Sequence, residues 1–142
     1  MTNFVTIEKG LGPEGRIAVV RFDRGDGINA LSPEALRQLT AAARSFEDDV
    51  ATSVVVLTGS TSAFSAGFDL KDAEGRSRKD MDLGTLRRHL KLGPRLTHAW
   101  HEMEQITIAA IEGFCVGGGV ALAVALDFRI MAFQRAYSRA RA

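Results

Sequence analysis

The chain has 142 residues, the size of one ordinary domain. Its mixture of 46% hydrophobic and 25% charged residues is that of an average globular protein and excludes a disordered, collagen-like or membrane-spanning chain. A balance of 18 basic against 17 acidic residues leaves a net charge of +1, so bulk electrostatics points to neither nucleic acid nor a membrane.

A β-hairpin is expected first. Phe4, Val5 and Ile7 form one run and Ile17 to Phe22 the other, with the Gly10–Gly15 turn cluster between them. Ser32-Pro33 opens a helix: Ser32 can cap free N–H groups, and Pro33 suits the first helical position. Leu36, Leu39, Ala43 and Phe46 then make one apolar face, and the helix is expected to end near Asp48-Asp49. The unbroken apolar run from Ser53 to Gly59 reads as a strand buried on both faces and therefore parallel. Together they make a right-handed βαβ unit.

Residues 71–91 are densely charged and read as a loop or the solvated start of a helix. From Leu86 the spacing of Leu90, Leu96, Trp100 and Met103 is helical, with a break expected at Gly93-Pro94. Ile106 to Ile111 is a further strand. Gly117-Gly118-Gly119 precede an apolar helix over Val120–Leu126, which an all-round apolar surface predicts to be buried. Asp127 to Ala132 is the last strand. Residues 1–132 thus form one α/β core with βαβ crossovers, and 133–142 form a divergent, Arg-rich tail. The single Cys115 excludes an internal disulfide framework and fits a reducing compartment. The first residues carry no basic-then-apolar leader, so the expected location is cytoplasmic.

Two segments place glycine after a strand, where backbone approaches something closely: Ser62 to Lys71 and Ile111 to Ala121. Three glycines opening a helix leave N–H groups facing outward, a setting for a phosphate or for an oxygen that becomes an anion during reaction. The same glycines equally serve tight helix-on-strand packing.

Taken together, Gly27-Ile28-Asn29-Ala30-Leu31-Ser32, Phe64-Ser65-Ala66-Gly67-Phe68-Asp69-Leu70-Lys71 and Glu112 to Gly119 resemble the crotonase superfamily, the enoyl-CoA hydratase/isomerase family. Asp127 to Ala132 resembles that family's next strand, so the resemblance covers residues 3 to 132. It implies the ClpP/crotonase fold, a spiral of ββα repeats, here in its N-terminal portion. It implies acyl-CoA or enoyl-CoA as substrate, with coenzyme A part of that substrate and no separate cofactor or metal. It also implies hydration or isomerisation through an enolate held by two backbone N–H groups, from Phe68 and Gly118. Asn29, Ala66, Phe68, Asp69, Leu70, Lys71, Gly117 and Gly118 become the expected thioester and CoA contacts, with Lys71 a partner for CoA phosphates. The family's trimeric or hexameric assembly is expected to need helices that this stretch lacks.

The sequence departs from the family pattern in two places. Family hydratases carry a glutamate two residues after the glycine triplet, where Ala121 stands, and no acidic residue follows Asp127 to supply a second. A truncated or frameshifted member, with one sheet layer thinly covered, is the expectation, and a non-catalytic remnant is the alternative. Glu112, Asp69 and Asp127 are read as structural acids. A serine hydrolase using Ser65 is a more distant alternative: Ala63-Phe64-Ser65-Ala66-Gly67 approximates a nucleophile elbow, with His89, His98 or His101 as base. His98 and His101 stand three apart, not the four of a helical zinc pair, and no Gly-Lys-Ser/Thr completes a P-loop.

Overall fold

The structure, a computed structural model, describes residues 2–71 and 77–133. Strands β1 (Val5–Leu11) and β2 (Ile17–Phe22) form the expected hairpin, with Val5 opposite Phe22 and Ile7 opposite Val20. Helix α1 (Pro33–Arg44) crosses to β3 (Val54–Thr58), which lies parallel to β2. Ser32 caps α1 as its spacing predicts, its hydroxyl accepting from Ala35 N–H, with Pro33 in the first turn. A short strand β4 (Ala63–Ser65), helices α2 (Leu83–Leu90) and α3 (Leu92–His101) and strand β5 (Ile106–Ile111) follow. Strand β6 (Phe114–Cys115), helix α4 (Gly118–Ala125) and strand β7 (Phe128–Met131) complete the described chain. Three ββα units are therefore present in succession.

The large sheet runs β1-β2-β3-β5-β7, antiparallel in the hairpin and parallel from β2 onward. A second, two-stranded parallel sheet pairs β4 with β6. Each crossover steps in the same direction across the large sheet, and right-handed connections then put the helices on one face. Ala18, Val20, Val55, Leu57, Ala109 and Ile111 point into that face and are buried. They meet Leu39 of α1, Phe46 just after it, and Trp100 of α3, whose indole N–H donates to Leu39 O at 3.1 Å. Each such large side chain removed from water contributes about 1.5–3 kcal/mol.

The opposite face carries Val19, Val56, Ile108 and Phe128 in one registered row. Phe128 and its neighbour Ile130 are more than half exposed. Val19, Val56 and Ile108 in that row are half-buried.

Several boundaries differ from expectation. Helix α1 ends at Arg44, short of Asp48-Asp49, and the chain continues in three-residue turns through Phe46 N–H to Ala43 O and Asp49 N–H to Phe46 O. These turns swing Phe46 into the core. The helix break falls at Lys91, and Gly93-Pro94 occupy the first turn of α3, where proline's missing N–H costs nothing. Helix α2 begins at Leu83, capped by Asp82, and buries no residue, so Leu90 is not core. Helix α4 starts at Gly118 and is not buried all round: Gly119, Leu122 and Ala123 are, whereas Val120 and Val124 are exposed. Its other side is left open. The expected tail from residue 134, and 72–76 of the charged stretch, lie outside the described residues.

Candidate active site

The site begins where β2 ends. Asp23 and Asp26 fold the next residues back by accepting from Gly25 N–H and from the N–H groups of Ile28 and Asn29. Asn29, at a φ of 49° and 1% exposed, spends its side chain there. Its amide donates to Phe22 O at 2.8 Å and Ala63 O at 3.1 Å, and its Oδ1 accepts from Arg24 N–H. It fastens the end of β2 to β4. Every polar atom of its side-chain amide is thus engaged with backbone.

Residues 28–31 then clamp one edge of the 66–69 segment. Ala66 N–H donates to Ile28 O, Leu31 N–H to Gly67 O at 2.7 Å, and Asp69 N–H to Leu31 O at 3.1 Å. In this parallel bridge of Leu31 with Phe68, the neighbours' groups face Leu31 and Phe68 N–H faces away. It has no acceptor among the described residues.

The other edge meets the start of α4. Val116 N–H donates to Ser65 O at 3.0 Å. A methyl group at Gly67, whose φ is +91°, would stand 3.1 Å from Gly118 N, and one at Gly119 would stand 2.5 Å from Ser65 O. Both positions must be glycine, because backbone lies against backbone. In the first turn of α4, Gly119 N–H bonds Val116 O while Val120 and Ala121 N–H bond Gly117 O. Gly118 N–H has no acceptor among the described residues. Two unspent donors thus come from adjoining segments.

Both donor residues line one cavity of about 280 Å³. Its walls include Leu31, Leu36, Leu96, Pro94 and Ala121, and its one polar side chain among the described residues is Thr97, whose hydroxyl donates to Pro94 O. A larger cavity of about 560 Å³ lies between α1 and α3 among exposed Arg44, Glu47, Arg95 and Glu102, away from both glycine segments. The unpaired backbone donors line the smaller cavity, which makes it the candidate site.

The remaining expected contacts divide. Ala66, Phe68, Gly117 and Gly118 are brought together. Asp69 turns inward: its carboxylate accepts from Arg24 Nη1 at 2.9 Å and from Lys71 N–H at 3.0 Å, which tethers the loop. Leu70 and Lys71 lie fully in solvent beyond it. Arg24 escaped notice in the sequence. It reaches from Ala30 O to Asp69 and stacks over Phe4, and the only available signal was its charge opposite Asp69. Gly93, Leu36 and Leu96 were read as break and core, yet they line the cavity.

The acids and nucleophiles singled out in the sequence fall outside the cavity among the described residues. Asp127 accepts from Thr107 N–H and Oγ1, joining β5 to the start of β7. Glu112 is exposed at the β5 end. Ser65 is 0% exposed; its hydroxyl donates to Asn29 O at 2.7 Å and accepts from Gly67 N–H. A serine so enclosed is a structural clamp, which removes the hydrolase alternative. His98 pairs with Glu102 on the outer side of α3. No group of three metal-ligating side chains occurs among the described residues. Burial raises the pKa of the partly enclosed Cys115 thiol. No helix among the described residues is long and apolar enough to cross a membrane.

Known proteins resemble this chain in sequence and fold. The enoyl-CoA hydratase/isomerase family model matches residues 12–142. A Rhizobium meliloti protein named "Probable enoyl-CoA hydratase" is 37% identical over 117 residues, which are 82% of this chain and 43% of that protein. Crotonyl-CoA hydratase of Syntrophomonas wolfei is 33% identical over 123 residues, 86% of this chain and 45% of the relative. The crystal structure of an enoyl-CoA hydratase from Bacillus anthracis superposes with a TM-score of 0.75 at 28% identity, covering 91% of this chain and 47% of that one. The chain therefore spans less than half the length of these relatives. With fold, motif order and sequence in agreement, this chain belongs to the enoyl-CoA hydratase/isomerase family.

Proposed function

We propose that the chain binds a coenzyme A thioester with its carbonyl oxygen between Phe68 N–H and Gly118 N–H. The reaction served is hydration or double-bond shift of an enoyl-CoA through an enolate. One observation carries the reading: two backbone donors without acceptors among the described residues, on adjoining segments, at the wall of one apolar cavity. Attack of water at the β-carbon, or loss of a proton along the acyl chain, moves an electron pair onto the thioester oxygen. Donors already aimed at that oxygen stabilise the charge without reorganising, an effect worth several kcal/mol. The apolar walls hold the acyl group, and exposed Leu70 and Lys71 lie on the path to solvent that pantetheine and the phosphates would take.

A second reading, binding without turnover, is favoured by the lining itself. No titratable side chain lines the cavity among the described residues, and Ala121 stands where family hydratases carry glutamate. Proton transfer needs a titratable group within hydrogen-bond reach of the reacting carbon. Calorimetric titration with crotonyl-CoA and with free CoA tests the common part of both readings: the thioester is expected to bind more tightly, and equal affinities would refute it. Ala121→Glu separates the two. Loss of conjugated-thioester absorbance with the variant alone supports binding without turnover, while equal activity in the unaltered chain supports catalysis by a group outside the described lining.

A further inference from the structure

Phe68 contributes more than its N–H. Its ring lies across the cavity mouth between the first turns of two helices. A methyl group built on Gly93 of α3 would stand 3.1 Å from the ring's Cζ and 3.3 Å from Cε1. One built on Gly118 of α4 would stand 3.3 Å from Cε2 and 3.4 Å from Cδ2. The ring thus fills a slot with a glycine at each side, one edge against each backbone. It remains 53% exposed, so it is a wall with solvent behind it and not a piece of the core. The residues beyond it, Leu31, Leu36, Leu96 and Pro94, carry no charge, so the space it bounds suits a hydrocarbon or aryl group.

Resting on the thioester reading above, we propose that the Phe68 ring sets which acyl groups the cavity admits, and that Gly93 is the residue that positions it. The backbone N–H and the ring belong to one residue, so oxyanion contact and acyl selection are fixed by the same loop. Removing the ring leaves the N–H in place and opens that end of the apolar space, so that longer acyl chains are no longer stopped there. Adding a methyl at Gly93 presses the ring from the α3 side, since a contact of 3.1 Å forces the neighbour to yield.

The test is a calorimetric series with butyryl-, hexanoyl-, octanoyl- and decanoyl-CoA on the unaltered chain, Phe68→Ala and Gly93→Ala. A chain long enough to reach the ring is stopped there, and each methylene so kept from apolar contact forgoes up to about fourfold in affinity. Phe68→Ala is expected to raise the octanoyl-to-butyryl affinity ratio about tenfold. Gly93→Ala, which favours its helix, is expected to lower that ratio. Changes that are uniform across the series in both variants overturn the proposal, because a ring that merely supports the loop has no length preference. The underlying reading fails differently: the unaltered chain would bind every acyl-CoA no better than free CoA, and the proposal would fall with it.

Discussion

Gly118→Pro deletes one oxyanion donor and puts the proline Cδ where its hydrogen was. Gly118 is the first residue of α4, where proline is favoured and where the lost N–H served no helical bond. The preceding Gly117 sits at φ 55° and ψ −120°, the mirror image of the extended region that suits a residue before proline, and it is open to glycine alone. The new side chain touches Leu31 Cδ1 at 3.2 Å and the Phe68 ring at 3.3 Å, but so does the methyl of Gly118→Ala. Comparing the two variants cancels that contact and leaves the N–H, with the proline Cδ that replaces its hydrogen, as the difference. A neutral hydrogen bond contributes about 1 kcal/mol net, so thioester binding should weaken about fivefold in the proline variant relative to the alanine one. Proline's Cδ also occupies the place of the oxygen, which makes fivefold a lower bound. If the chain turns over an enoyl-CoA, the loss in kcat should reach about a hundredfold or more, because the donor counts for more as charge develops. Titration calorimetry with crotonyl-CoA and circular dichroism of both variants provide the measurement. Equal affinities in two folded variants would remove Gly118 N–H from the site.

Two further outcomes follow from groups that hold the frame. Lys9 and Thr52 hold the Asp49 carboxyl at about 2, below its ordinary 3.8. A depressed folded-state pKa gives stability that is present above the unfolded value and lost as pH falls through the folded one. The difference in urea midpoint between the unaltered chain and Asp49→Asn should therefore be open above pH 4 and close towards pH 2; a constant difference would contradict the pairing. Asn29→Ala strands buried partners at Phe22 O, Ala63 O and Arg24 N–H and places alanine at a left-handed φ of 49°. A loss of about 3–5 kcal/mol is expected in denaturant unfolding, and a loss below about 1 kcal/mol would show that the amide is not the fastening between β2 and β4.

Much of the frame is written locally. The Ser32-Pro33 start of α1, the apolar run of β3 and the hairpin depend on neighbours in sequence, and the structure keeps them within a few residues. The two glycine segments were also legible, because glycine after a strand reports a close backbone approach wherever the partner lies. Strands β4 and β6 were not. Three and two residues long, they have no period to read, and each exists because the other lies beside it. The same limit hid Arg24, whose partners are 6 and 45 residues away.

What the sequence determined by itself was the order of the longer elements and the identity of the segments able to offer backbone donors, since capping, periodicity and glycine all act over a few residues. Tertiary structure decided what those residues do. It consumed Asn29 and Ser65 as clamps, opened one side of an apolar helix to solvent, and set Gly93 against the Phe68 ring. The reason is physical: whether a polar group is spent or free, and whether an apolar one is wall or core, depends on the atoms that packing brings to it from distant parts of the chain.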